Sequence, residues 1–207
     1  GQSEWLTWDV TAFYLLYQNR LGTVAFKDQN GQLTIFRTNI GDSHTKGVEA
    51  FVQGDWTLGK VSTISVYNAT SWMDARYKDA TVRTGNENIS VDGNQVESAP
   101  KIISRSGVTY KYSRWTACVK YSYTAESFAD ALNTKIPNAS GAVGLVPAYS
   151  IVDVNMSVRF NEHLKLQVNA NNLFDKSYFA KRPQFYPGPG IWPSDGRTFS
   201  ATIAIKL

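Results

Sequence analysis

The sequence predicts an all-β fold: an antiparallel, up-and-down transmembrane β-barrel, of which this chain is a fragment of about eight strands forming an open curled sheet. Three observations predict it. Apolar and polar residues alternate with period two along most of the chain, and helical periodicity is nearly absent. Several alternating runs reach ten residues, beyond the ~5–6 usual in soluble sheets and matched to the ~9–11 that cross a bilayer at a tilt. The connections alternate in length. Those near Leu58–Lys60, Ser113–Arg114 and Asn161–His163 are short, whereas those near Gly22–Lys46, Lys78–Ala99, Glu126–Pro147 and Asp175–Arg197 are long. Barrels that cross a membrane place short turns on one side and long loops on the other.

The first strand is "LTWDVTAFYLL", with Leu6, Trp8, Val10, Ala12, Tyr14 and Leu16 on one face and Thr7, Asp9 and Thr11 on the other. "GVEAFVQGDW" follows, with Val48, Ala50, Val52, Gly54 and Trp56 opposed to Glu49, Phe51, Gln53 and Asp55. In "VSTISVYNATSW" the clearest apolar pair is Ile64 and Val66. "RSGVTYKY" sets Val108, Tyr110 and Tyr112 against Arg105, Thr109 and Lys111. "WTACVKYSYT" sets Trp115, Ala117, Val119, Tyr121 and Tyr123 against Thr116, Cys118, Lys120, Ser122 and Thr124. The last three are "VDVNMSVRF", "LKLQVNAN" and "TFSATIAIKL", each apolar at every second position.

Aromatic residues make up 13% of the chain. Trp56, Trp115, Tyr112 and Phe160 fall at short-turn ends, and Trp5 and Trp8 open the first strand on that side. That spacing is an aromatic girdle at a membrane interface. A soluble β-sandwich explains the alternation through one buried face, but not the strand lengths, the loop asymmetry or the girdle. No apolar run approaches the ~20 residues of a membrane-crossing helix. The chain opens at Gly1 without a basic-then-apolar leader, and a piece of a longer protein is expected. Net charge is +4 with the basic residues scattered, so no nucleic-acid arm is expected. One cysteine and two distant histidines give no disulfide framework and no metal site.

Three stretches carry a family resemblance: "NIGDSHTKGVEA" (Asn39–Ala50), "VNANNLFDKSYF" (Val168–Phe179) and the closing "TFSATIAIKL". In that order and spacing they resemble the C-terminal part of TonB-dependent outer-membrane receptors, over essentially residues 1–207. "KRPQFYPGPGIWPSDGR" (Lys181–Arg197) resembles the last extracellular loop of the ferric-dicitrate receptor branch. The resemblance implies a plugged barrel of about 22 strands, with the plug domain and earlier strands outside this chain. It also implies outer-membrane location, contact with lipid, force from TonB through the plug, and recognition of the last strand by the barrel-assembly machinery. Leu207 departs from the aromatic residue that commonly ends the family.

The resemblance further implies a transporter rather than an enzyme, with no cofactor, binding ferric citrate or a similar ferric siderophore from outside. Within the same family the cargo could instead be a glycan or cobalamin. An anionic chelate calls for Arg and Lys donors, since guanidinium grips carboxylates in bidentate fashion. The candidates in the last loop are Lys181, Arg182 and Arg197, with Tyr186 and Trp192 as aromatic partners. On the polar strand face they are Arg105 and Lys120. Lys111 and Arg159 share that face, nearer the short turns, and are expected to meet plug or water. The prolines and glycines of the last loop are expected to stiffen it.

Overall fold

Period-two alternation sends successive side chains to opposite faces, so neighbouring strands must pair in a register that keeps like with like. In the computed structural model they do. It describes residues 1–27, 33–85, 87–184 and 188–206. In chain order the strands are β1 (Leu6–Lys27), β2 (Leu33–Thr57), β3 (Ser62–Lys78), β4 (Thr81–Thr84), β5 (Glu87–Ser90), β6 (Ile102–Tyr112) and β7 (Trp115–Thr124). They continue as β8 (Ser127–Phe128), β9 (Leu145–Val146), β10 (Tyr149–Arg159), β11 (Leu164–Asn171), β12 (Phe179–Lys181), β13 (Trp192–Pro193) and β14 (Thr198–Ile205).

Eight long strands form an antiparallel meander in the order β14-β11-β10-β7-β6-β3-β2-β1, an open curled sheet. One cross-sheet row shows what sets the register. Leu6, Gly54, Val66, Val108, Val119, Val154, Ala170 and Phe199 are paired in succession across all eight strands. On the opposite face Asp55, Ser65, Thr109, Cys118, Asn155, Asn169 and Ser200 form the matching row. Slipping one strand by one residue would exchange these faces. The polar row bonds laterally: Asn155 donates to Asn169, and Asn169 donates to Ser200 Oγ at 3.0 Å.

The apolar face stays open, with Val10, Leu16, Val119, Met156 and Ile203 all exposed. At the short-turn end the Trp5 and Trp56 rings stack at 5.9 Å. The face has one polar interruption. Asn68, Thr70, Ser104 and Ser106 point the same way as Val66 and Val108, and they satisfy one another. Asn68 Nδ2 donates to Ser106 Oγ at 2.8 Å, and Thr70 Oγ1 donates to Asn68 Oδ1 at 2.8 Å. Mutual bonding is what lets such groups sit beside an apolar medium.

The long-loop end differs from the sequence expectation. The Gly22–Lys46 connection is mostly strand, because β1 and β2 run on as a paired hairpin to Lys27 and Leu33. The other three long connections hold the small hairpins β4–β5, β8–β9 and β12–β13. Their signal in the sequence is two to four residues each, too short for periodicity to show. Under the β4–β5 loop lies a small core of Ile40, Ala75, Tyr77, Ala80, Val82, Val91 and Val96.

Candidate functional site at the long-loop end

A β-bulge starts the site. The β1–β2 register shifts on either side of Arg20. Asn19 takes a left-handed φ of 55°, and its backbone N–H donates to Asp42 Oδ1 at 2.9 Å. One extra residue turns the following side chain to the other face. Arg20 therefore leaves the apolar face and points inward, its guanidinium 6.0 Å from the Tyr17 ring and 5.9 Å from the Tyr77 ring. Tyr77 is almost fully buried, and its hydroxyl donates to the Glu97 carboxylate.

The turn after β11 brings in the last loop. In "NLFDKSY", Asn172 is buried with φ 49°. Its backbone N–H donates to Asp153 Oδ1, its Nδ2 donates to Lys176 O, and its Oδ1 accepts from Lys176 N, all within 2.9 Å. Asp175 Oδ1 accepts from Arg197 N at 2.8 Å. This conspicuous stretch is thus a hydrogen-bonded clasp joining the end of β11 to the start of β14. Tyr178, three residues beyond Asp175, stacks on Tyr149 at 4.4 Å.

Two cavities open between these elements, and Lys181 lines both. The larger, of about 750 Å³, is bounded by Asp153, Tyr178, Lys181, Trp192 and Asp195. The smaller, of about 530 Å³, is bounded by Arg20, Tyr77, Glu97, Asp130, Lys181 and Arg182. Both fall in the size range of small-molecule sites. Asp130 is 7% exposed. Its Oδ1 accepts from Leu132 N and Thr134 Oγ1, both at 3.0 Å, while its Oδ2 is buried without a partner among the described residues. Arg20 Nε is likewise buried and unpartnered among them.

The sequence candidates separate into three groups. Lys181, Arg182 and Trp192 are brought to the cavities. Arg182 is already engaged: Nε donates to Leu145 O at 3.1 Å, Nη1 donates to Gly141 O at 2.9 Å, and the guanidinium lies 4.8 Å from the Phe179 ring. It pins the last loop to the β7–β10 connection. Arg197, Arg105 and Lys120 line neither cavity. Arg197 closes the clasp through Leu173 O at 3.3 Å. Arg105 sits on the polar face and donates to Ser104 O and Tyr123 O, both at 2.9 Å, in a trough shared with Asp9 and Glu49. Lys120 lies in a separate trough beside Asp153 and Asn155. Tyr186 lies outside the described residues. Arg20, Tyr77, Glu97 and Asp130 were not foreseen. They lie in four different segments, and only the bulge at Asn19 and the packing of the loops bring them together.

Long antiparallel strands with one apolar and one polar face, capped by inward-folded loops, define a segment of barrel wall. The particular family is shown by sequence: a model of the TonB dependent receptor-like β-barrel matches residues 1–173, and the chain belongs to that family. It is 27% identical over 178 residues to a probable TonB-dependent siderophore receptor, PiuA, of Acinetobacter baumannii, covering 82% of this chain and 21% of the relative. It is 27% identical over 146 residues to a probable TonB-dependent receptor, BfrD, of Bordetella pertussis, covering 70% and 18%. The chain therefore spans about a fifth of the length of these relatives. Among solved structures it resembles the ferric citrate transporter FecA in its unliganded form, with TM-score 0.76 and 23% identity over 99% of this chain and 29% of that one. It also resembles the PiuA crystal structure, with TM-score 0.70 and 22% identity over 97% and 26%.

Proposed function

We propose that this chain is the C-terminal barrel segment of an outer-membrane receptor that imports a ferric chelate, ferric citrate or a siderophore of similar charge. The observation that carries the reading is the convergence of Arg20, Lys181 and Arg182 on adjoining cavities at the long-loop end. An anionic, coordinatively saturated chelate needs such donors and needs no protein ligand to iron. In this reading the apolar face meets outer-membrane lipid in a multi-pass wall. The polar face receives a plug domain from the preceding part of the full-length protein, and TonB pulls on that plug. The barrel-assembly machinery handles the last strand, whose terminal Leu207 lies outside the described residues. No bond of the cargo is made or broken, so the protein is a transporter and not an enzyme.

The test is growth of a bacterial strain lacking its own ferric-citrate receptor, complemented with the full-length gene. Growth dependent on ferric citrate supports the cargo. Growth only on another siderophore corrects the cargo and keeps the receptor. Growth on neither, with cobalamin or a glycan imported instead, rejects the iron reading.

A further inference from the structure

The polar interruption of the apolar face lies at the depth of the hydrocarbon core. Asn68 is midway along β3 between Ile64, near the short turn, and the exposed Trp72. At ~3.3 Å per residue and the tilt of a membrane strand, it is about 10 Å in depth from either. Thr70 follows it on β3, and Ser106 and Ser104 on β6 pair with these two. Polar side chains at such depth are costly toward lipid and serve as glue between membrane-spanning elements.

The proton count inside the cluster decides what it can contact. Both amide hydrogens of Asn68 are spent, on Ser106 Oγ at 2.8 Å and Ser104 Oγ at 3.2 Å. Thr70 donates to Asn68 Oδ1 at 2.8 Å, so it accepts across its 2.8 Å contact with Ser104. The Ser106 hydroxyl accepts from Asn68, and its own proton meets no acceptor among the described residues. Lipid tails offer none, and an unmade bond in that medium costs free energy. Asn68 Oδ1 takes one bond among the described residues and has room for a second. A surplus donor and a surplus acceptor therefore sit side by side.

We infer that this patch is a dimer interface whose occupant is a second copy of this chain. A partner helix, its N–H groups spent on its own turns, offers no donor for the Asn68 oxygen. A second copy supplies both the donor and the acceptor. Two copies inserted the same way in one bilayer are related by a two-fold axis along the membrane normal. That axis sets β3 of one copy against β6 of the other. Asn68 and Ser106 are register partners, so tilt separates their depths by only about 3 Å. Each Ser106 hydroxyl then donates to Asn68 of the partner subunit, twice over by symmetry. Ala50, beside Thr70 on β2, keeps the contact strip low so that two convex walls can approach. The inference rests on the reading of the apolar face as lipid-facing.

The test uses the full-length receptor in liposomes of phosphatidylethanolamine and phosphatidylglycerol. Energy transfer between donor- and acceptor-labelled copies, across a dilution series in lipid, gives the dimer dissociation constant. The wild type should dimerise. Asn68→Leu, Thr70→Val, Ser104→Ala and Ser106→Ala together leave no polar group unpaired and should keep the barrel folded. They should raise the dissociation constant about tenfold, as expected for two hydrogen bonds in a membrane. Met156→Ala, on the same face at β10, should leave it unchanged. With copper–phenanthroline as oxidant, an equimolar mixture of Asn68→Cys and Ser106→Cys receptors should cross-link faster than either variant alone. A monomeric wild type overturns the inference. So does an unchanged constant in the fourfold variant, or faster cross-linking of Ser106→Cys alone. Flotation of the liposomes reads the wall separately: receptor that does not float with lipid sinks the lipid-facing reading, and inserted receptor that stays monomeric sinks the dimer alone.

Discussion

Asn172 is the residue whose replacement tests the clasp. Its side chain makes two bonds of 2.9 Å, to Lys176 N and Lys176 O, and its backbone is left-handed at φ 49°. Asn172→Ala removes both bonds, each worth ~1 kcal/mol. It also places an ordinary Cβ in the left-handed region, at a cost of ~1 kcal/mol more. The longer contact to Asp195 O at 3.4 Å is too weak to count. The sum is ~3 kcal/mol, which raises the local opening constant roughly a hundredfold. Asn172→Gly loses the same bonds but escapes the strain, giving back ~0.5 kcal/mol through greater freedom of the unfolded chain. It should fall between the other two proteins. The reporter is the Arg197 amide, which donates to Asp175 across the clasp and lies 25 residues from position 172. Its hydrogen exchange is followed by mass spectrometry in the full-length receptor. Identical exchange in the Ala and Gly variants would refute the backbone argument. Wild-type exchange in both would refute the hydrogen-bond argument.

Other perturbations address the wall and the loops. Gly107 lies opposite Tyr67 in the register, and a Cβ there would run into that ring; Gly107→Val should displace Tyr67 and lower the melting temperature of the barrel, whereas a change within error removes the steric argument. Val108→Lys puts a charge on the apolar face and should cost ~2–4 kcal/mol at mid-bilayer, while Thr109→Lys on the polar face should be tolerated; the heat-modifiable folded band on a gel distinguishes them, and equal yields would contradict the facial assignment. Arg182→Ala removes two bonds to loop carbonyls, ~2 kcal/mol together, and trypsin should cut at Lys135 at least tenfold faster. Tyr77 lies five residues past Trp72, beyond the apolar band; burial first, then the Glu97 carboxylate, push its hydroxyl above the ordinary 10.0. The neutral phenol is the favoured form in the folded loop, so its contribution is complete below about pH 10 and is lost as pH rises further. Protection of the β4–β5 loop, measured relative to the base-catalysed intrinsic exchange rate, should fall in that alkaline range in the wild type and not in Tyr77→Phe.

The wall was legible because a strand writes its two faces into alternate positions. Leu6, Val66, Val108, Val119 and Val154 could be assigned to one face from the sequence alone, and they pair in one row. The short turns were legible for the same reason, since the alternation restarts across them. The site was only partly legible. Lys181 and Trp192 stood out as basic and aromatic residues in an unusual loop. Arg20 did not, because it sits in the polar run Gln18–Arg20 beyond the last clear alternation, and only the bulge turns it inward. Asp130 did not, because nothing local distinguishes a carboxylate with one satisfied oxygen from one with two. The polar group of Asn68, Thr70, Ser104 and Ser106 interrupts the expected pattern, and its bonding, which crosses from β3 to β6, is invisible along one strand.

The unequal strands give the wall a sloping rim. β1 and β2 have 22 and 25 residues, while β11 and β14 have 8 each. The hairpin continues past Tyr17 for ten residues, to Lys27, roughly 30 Å of strand at ~3.3 Å per residue. Anything bulky that approaches from the loop side meets this tall flank first. The low flank, at β11 and β14, is the side on which the last loop folds over the larger cavity beside Lys181.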